Sequence, residues 1–307
     1  MGADLEPPRF AVTDAVRRAL AEDLTPLGDL TSVLLPDDLR ATARFVARQH
    51  GVVAGCACVA ETFAQVDGGV TIEWEVRDGD LLDAGTVLAT VEGTLQSILT
   101  AERTALNFLG HLSGIATLTR KYVAAAHGGG RARIWDTRKT TPGLRTLEKA
   151  AVRAGGGSNH RGNLSDWILL KDNHLALMGI AGAVDAAKQR WPGRTVHVEC
   201  DRLDQVEEAL AAGADALLLD NMGFDEVRAC VAAANEHACR AGARRPLLEA
   251  SGGVDLDTVG PYSATGVDLI SVGAITNSAP VLDIGLDIDV GLDLDLDLDL
   301  GFGFDND

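Results

Sequence analysis

The chain of 307 residues is poor in aromatic side chains, which make up 4% of it, although 46% of its residues are hydrophobic. Its core must therefore be built from Ala, Val, Leu and Ile, a composition that suits helices packed closely on a sheet and argues against a disordered chain. Long apolar runs are also missing: none reaches the roughly 18 residues that a membrane span needs. The opening MGADLEPPRF carries acids and lacks the basic and apolar regions of a signal peptide. These absences predict a soluble, cytoplasmic protein with no membrane partner. Cysteine is scarce too. Cys56, Cys58, Cys200, Cys230 and Cys239 form no CxxC pair and are odd in number, which argues against a zinc site or a disulfide framework and for buried free thiols.

Positive charge is the last shortage. With 27 Lys and Arg against 45 Asp and Glu, the formal charge is −18, which disfavours nucleic acid or an anionic membrane as partner. What basic residues there are lie unevenly. Between Arg131 and His174 nine Lys and Arg face four Asp and Glu, a local balance of +5, and none follows Arg245. An acidic chain that gathers its cations in one stretch is equipped to hold a small anion.

Three regions separate by pattern. Residues 1–110 open with a helical segment over Phe10–Glu22 and the turn-rich EDLTPLGDLTS. Strand-like runs follow in ATARFVARQ, GVVAG, TIEWEV and TVLATVEG, with DGDLLDAG as a turn between the last two. From Leu95 to His127 apolar residues fall at helical spacing, with Gly110 and Gly114 as interruptions. Residues 111–274 alternate strands (ARIWD, DWILLK, TVHVEC, DALLLD, PLLEAS, DLISVG) with helices (PGLRTLEKAAVRAG, LMGIAGAVDAAKQR, RLDQVEEALAAG, DEVRACVAAANEHACRAG). Such alternation implies a parallel sheet, and six recurrences favour closure toward a barrel. The segment APVLDIGLDI, within 275–288, is expected to return to the first region. Residues 289–307 are a Leu-Asp alternation in which like charges repel, read as a disordered acidic appendage without catalytic role.

The strand runs end in Asp136, Lys171, Glu199, Asp220 and Glu249. In a β/α barrel the carboxyl ends of the strands converge on one mouth, where active sites are built. Arg138 and Lys139 follow ARIWD, His160 and Arg161 come from the glycine-rich AGGGSNHRG, and Lys171 and His174 lie in LLKDNH. Arg offers a rigid fork to carboxylates and phosphates and Lys a compact charge, so this collection fits a substrate with several negative charges. Glu199 and Asp220 suit a magnesium-linked diphosphate or ribose hydroxyls, or positive charge developing on a sugar carbon; the plainer alternative makes them salt-bridge partners of Lys139 or Lys171. The turns EASGGV and SVGAI offer Ser251, Gly252, Gly253, Gly273 and Ala274 to a phosphate.

In their order along the chain, AERTALNFLGHLSGIAT, DTRKTTPGLR, GGGSNHRGNLSD, LLKDNH, HVEC, LLLDNM and EASGGV resemble the quinolinate phosphoribosyltransferase family, from EDLTPLGDLTS to LDIGLD. The resemblance implies an N-terminal open α/β sandwich and a C-terminal incomplete β/α barrel of the type II phosphoribosyltransferases. It implies transfer from 5-phosphoribosyl 1-diphosphate to quinolinate with decarboxylation. Arg138, His160, Arg161 and Lys171 would hold quinolinate, and Arg103 of a neighbouring subunit would complete the site in a homo-oligomer, a dimer or a hexamer. Lys139, Glu199 and Asp220 would serve the reacting centre, these and Lys171 facing the diphosphate, while Ser251–Gly253, Gly273 and Ala274 cradle the 5′-phosphate. Mg2+ would be held mainly through the diphosphate, with Glu199 and Asp220 the protein oxygens open to it. Ala150 stands where the family commonly has tyrosine and Asn277 where it has histidine; the Leu-Asp tail is foreign to the pattern.

Other readings separate on specific residues. A type II enzyme for nicotinate needs fewer cations than are present. A Schiff-base lyase would use Lys171 or Lys139 as nucleophile. A lipoyl-type carrier, suggested by DGDLLDAGTVLATVEG, lacks an attachment residue, since no lysine lies between Gly51 and Lys121.

Overall fold

The computed structural model describes residues 5–242 and 244–289; the Leu-Asp repeat lies outside the described residues. The first part of the chain forms helices α1 (Arg9–Leu24), α2 (Cys56–Val66) and α3 (Leu95–Gly129). With them come strands β1 (Arg40–Ala47), β2 (Gly51–Val52), β3 (Thr71–Trp74), β4 (Leu81–Leu82) and β5 (Val87–Thr94). Alternation in β1 sends Ala41, Ala43, Phe45 and Ala47 into a core while Arg40 and Arg44 stay exposed. The sheet order is β12-β1-β5-β3, where β12 (Ile284–Asp289) returns from the far end of the chain and pairs antiparallel with β1.

The second sheet contains β6 (Arg133–Trp135), β7 (Ile168–Leu170), β8 (Val196–Cys200), β9 (Ala216–Asp220), β10 (Leu247–Ser251) and β11 (Leu269–Ser271). Its order, β6-β11-β10-β9-β8-β7, runs round and brings the last strand beside the first, with every pairing parallel. That order describes a barrel left open between β6 and β7. The glycine-rich segment runs along the gap, where Ser158 bridges to Trp135. Helices α4 (Arg145–Ala154), α5 (Asp172–Met178), α6 (Ile180–Arg190), α7 (Leu203–Ala211), α8 (Phe224–Ala241), α9 (Val259–Ser263) and α10 (Ala274–Asn277) connect the strands.

One helix serves both cores. On α3, Ile98, Ala101, Ala105 and Leu109 pack with the antiparallel sheet, while Leu112, Ile115, Ala116, Tyr122 and Ala126 pack with the barrel. The expected interruptions at Gly110 and Gly114 are not there: α3 is continuous over 35 residues. These glycines admit a crossing chain instead. A Cβ at Gly114 would stand 2.0 Å from the Pro280 carbonyl oxygen, and the Leu282 N–H donates to the Gly110 carbonyl at 3.0 Å.

Gly114→Ala is expected to lower the unfolding midpoint, at a cost of about 1–3 kcal/mol for overpacking. Gly128→Ala, whose methyl would meet nothing within 4 Å, is expected to gain up to ~1 kcal/mol from helix propensity. Equal midpoints in thermal denaturation would contradict the close-approach account.

Candidate active site

Successive residues of a strand point to opposite faces. In the barrel Val196, Val198, Leu217, Leu219, Leu248, Ala250 and Ile270 face the surrounding helices. The alternate set, with Leu169, Glu199, Leu218, Asp220, Glu249, Ser251 and Ser271, lines a cavity of about 630 Å³ at the strand ends. Arg138, Lys139, His160, Arg161 and Lys171 line the same cavity, as do Gly252, Gly253, Gly273, Ala274 and Asn277. The cations and acids expected at the mouth therefore meet in one place. Arg103 does not join them. It is exposed on α3, beside a separate cavity of about 670 Å³ that Arg18, Asn107, His111 and Thr141 also border.

Electrostatics sort these groups. Lys171 Nζ is ion-paired with Glu199 Oε2, as the plainer alternative for Glu199 expected. Among the described residues Arg138, Lys139 and Arg161 form no ion pair. Burial, and after it the neighbouring Arg138, push the Arg161 guanidinium below its usual pKa. Asp166 and Glu199 offset part of this crowding from a distance, and cations left without an ion pair are disposed to accept an anion. Asp220 Oδ2 accepts a hydrogen bond from Asn221 Nδ2 at 2.7 Å.

The loops are held from behind. Asp136 does not face the mouth, as its strand-end position suggested; it is wholly buried and paired with Lys149, itself buried on α4. Asn159 Nδ2 donates to Asp136 at 2.6 Å and the His160 N–H at 2.8 Å, while Lys149 Nζ donates to the His160 carbonyl at 2.9 Å. Burial pushes the Asp136 carboxyl up and the Lys149 ammonium down, and their mutual attraction opposes both shifts. This buried pair pins the loop that carries His160 and Arg161. Thr276 Oγ1 donates to the Lys139 carbonyl at 2.8 Å, fixing the loop after β6 against α10. His174, read with the basic cluster, is elsewhere employed: its Nδ1 accepts the Lys171 N–H at 3.1 Å, at the start of α5.

The turn after β10 requires glycine. Gly252 and Gly253 have φ of +95° and +60°, and a Cβ on Gly252 would lie 2.2 Å from Asn221 Oδ1. One interior residue went unread in the sequence: His197 lies two positions before Glu199, hence on the same inward face, and that period of two is the signal that finds it. Glu249, read as a strand end at the mouth, lies instead in the middle of β10 and is wholly buried. Burial pushes the His197 imidazole down. Trp135 and Trp167 flank His160 with ring centroids at 5.3 and 5.0 Å.

The incomplete barrel, with this mouth, is that of a type II phosphoribosyltransferase. Residues 29–113 match the quinolinate phosphoribosyl transferase N-terminal domain and residues 115–287 its C-terminal domain. The chain belongs to that family. It is 42% identical over 284 residues to a nicotinate-nucleotide pyrophosphorylase (carboxylating) of Mycobacterium leprae, covering 91% of this chain and 97% of the relative. It is 38% identical over 299 residues to quinolinate phosphoribosyltransferase (decarboxylating) 1b of Nicotiana tabacum, with 92% and 83% covered. The solved nicotinate-nucleotide pyrophosphorylase of Francisella tularensis superposes with a TM-score of 0.86 at 38% identity, over 92% of this chain and 98% of that one.

Lys149→Met leaves Asp136 buried and unpaired and is expected to cost about 3–5 kcal/mol in denaturant unfolding. Asp136→Asn combined with Lys149→Met is expected to recover part of that loss. A single variant as stable as the parent would remove the pair from its anchoring role.

Proposed function

We propose that the chain transfers the phosphoribosyl group of 5-phosphoribosyl 1-diphosphate to quinolinate, releasing diphosphate and CO2 and leaving nicotinate mononucleotide, a step of NAD biosynthesis. The observation that carries this reading is one cavity holding Arg138, Arg161 and Lys171 together with Glu199 and Asp220. Two carboxylates on a pyridine ring match paired guanidinium groups, which bind carboxylate oxygens in a fork. Arg138, His160, Arg161 and Lys171 hold the dicarboxylate and orient its ring nitrogen toward the sugar carbon. Lys139 lies over the opposite rim, where Ser251–Gly253, Gly273 and Ala274 offer backbone N–H groups to the 5′-phosphate.

The ring nitrogen attacks the sugar carbon with inversion as the bond to diphosphate breaks. Holding two anions in contact is the main difficulty, so the cations both orient the reactants and offset their repulsion. Glu199 and Asp220 face positive charge developing on the sugar carbon. The carboxylate beside the ring nitrogen then leaves as CO2. Its bonding electrons stay on the ring carbon, stabilised by the new pyridinium charge until a proton adds there. Glu199 and Asp220 present hard oxygen donors of the kind Mg2+ takes alongside substrate phosphates. When bound there, the ion would neutralise the departing diphosphate.

The protein works as a homo-oligomer in which Arg103, exposed on α3 and away from its own mouth, completes a neighbour's site. The location is cytoplasmic; among the described residues no helix is long and apolar enough to cross a membrane.

Purified protein with quinolinate, 5-phosphoribosyl 1-diphosphate and Mg2+ is expected to form nicotinate mononucleotide and CO2; a folded but inert preparation would contradict the reading. Arg138→Ala and Arg161→Ala are each expected to lower kcat/KM for quinolinate by about 10- to 100-fold, the scale of one charged hydrogen bond. An unchanged KM in both variants would favour a monoacid substrate. Inactive Arg103→Ala and Lys171→Ala subunits, mixed and reassociated, are expected to regain about a quarter of the parent activity if dimers form statistically. No recovery would place Arg103 outside the site.

A further inference from the structure

Below the mouth, the barrel interior holds a cluster of which the proposed reaction uses only His160. Glu249 on β10 is wholly buried, and His160 and His197 are 8% and 2% exposed. The Nε2 atoms of both imidazoles lie 3.5 Å from the same oxygen, Oε2 of Glu249. Among the described residues His197 Nε2 and Glu249 Oε2 make no hydrogen bond of normal length, although Ser271 and His160 lie near the carboxylate. Poorly partnered polar atoms in a dry interior are costly, and the two Nε2 atoms gathered on one carboxylate oxygen ask for a shared cation. The donor atoms of all three side chains lie within 4.8 Å of one another.

We propose that His160, His197 and Glu249 form a site for one first-row divalent transition-metal ion, of the Zn2+ class, at the floor of the cavity. Ligands about 2.0–2.2 Å from a tetrahedral ion stand about 3.3–3.5 Å apart, which is the spacing of both Nε2–Oε2 pairs. The wider gap between the imidazoles, whose rings stack at 6.0 Å, closes by rotation of His160, the one that borders the cavity. The Leu217 backbone lies within hydrogen-bonding reach of the His197 ring; an N–H donated there from Nδ1 leaves Nε2 as a lone pair for a metal. Two imidazoles select Zn2+, Co2+ or Ni2+ over Mg2+, which prefers oxygen donors such as those at the mouth. The fourth position opens on the cavity, which both His160 and Glu249 line, and takes water or a carboxylate. No cysteine is involved, so the cysteine spacing that argued against zinc does not bear on this site. The site shares His160 with the proposed quinolinate-binding set, but its argument rests on the geometry of the barrel interior and not on that reaction.

Chelator-treated full-length protein titrated with Co2+ and Zn2+ tests it. One ion is expected per chain, with Kd of about 1 μM or tighter, a visible Co2+ absorption that Zn2+ displaces, and a higher unfolding midpoint with Zn2+. H197Q and E249Q are each expected to weaken binding at least about 100-fold, whereas C239S, at an exposed thiol, leaves it unchanged. Binding weaker than about 1 mM, or binding retained in both variants, overturns the site. Where a variant fails to fold, side-chain nitrogen resonances of the seven histidines in the intact chain decide the point. His160 and His197 are expected to shift with Zn2+; movement confined to the other histidines overturns the proposal. Turnover of quinolinate by chelator-treated protein resupplied with Mg2+ alone keeps this result and the proposed reaction separately readable.

Discussion

Like charges confined to one cavity repel, and the barrel mouth brings Arg138, Lys139 and Arg161 together without an ion pair among the described residues. Arg138 lies close enough to Arg161 to depress its pKa, an effect that Asp166 and Glu199 oppose, and among the described residues neither arginine forms an ion pair. The rest of the chain is strongly acidic, at −18 overall. Its long-range field therefore opposes an incoming anion, but exposed charges are screened beyond about 8 Å at physiological salt. Recognition must then be local. Local recognition demands that the guanidinium groups be held still, which explains why the loop carrying His160 and Arg161 is anchored on the buried Asp136–Lys149 pair.

The same logic of placement runs through the fold. A parallel barrel sends every second side chain inward and collects the strand ends, so residues far apart in sequence share one cavity. Small outward-facing residues such as Val198, Ala250 and Leu219 let the helices lie close. Helix α3 then joins this core to that of the antiparallel sheet, and Gly110 and Gly114 let the returning chain cross it in backbone contact.

Much of this was readable in the residues. Five of the six barrel strands stand out because each switches abruptly from apolar to polar, and the residues at four of those switches, Lys171, Glu199, Asp220 and Glu249, line the cavity. Asp136 followed the same pattern for a different reason: it is polar because Lys149, thirteen residues on, comes back to pair with it. No local signal carries that. Helix α2 was hidden because CACVAETFAQV begins after Gly55 at φ +105°, with no side-chain cap to mark its start. The glycines of α3 read as breaks because the chain that crosses them, near Pro280, lies some 170 residues away. His197 was masked by the strand end that follows it, since attention to Glu199 at the mouth overlooks the inward face beneath it.

The dicarboxylate fit is tested most directly by calorimetric titration of the protein with quinolinate and, separately, with nicotinate, which lacks one carboxylate. Paired guanidinium groups facing two carboxylates predict at least about tenfold tighter binding of quinolinate, the value of one charged contact. Equal affinities, or a preference for nicotinate, would contradict the account.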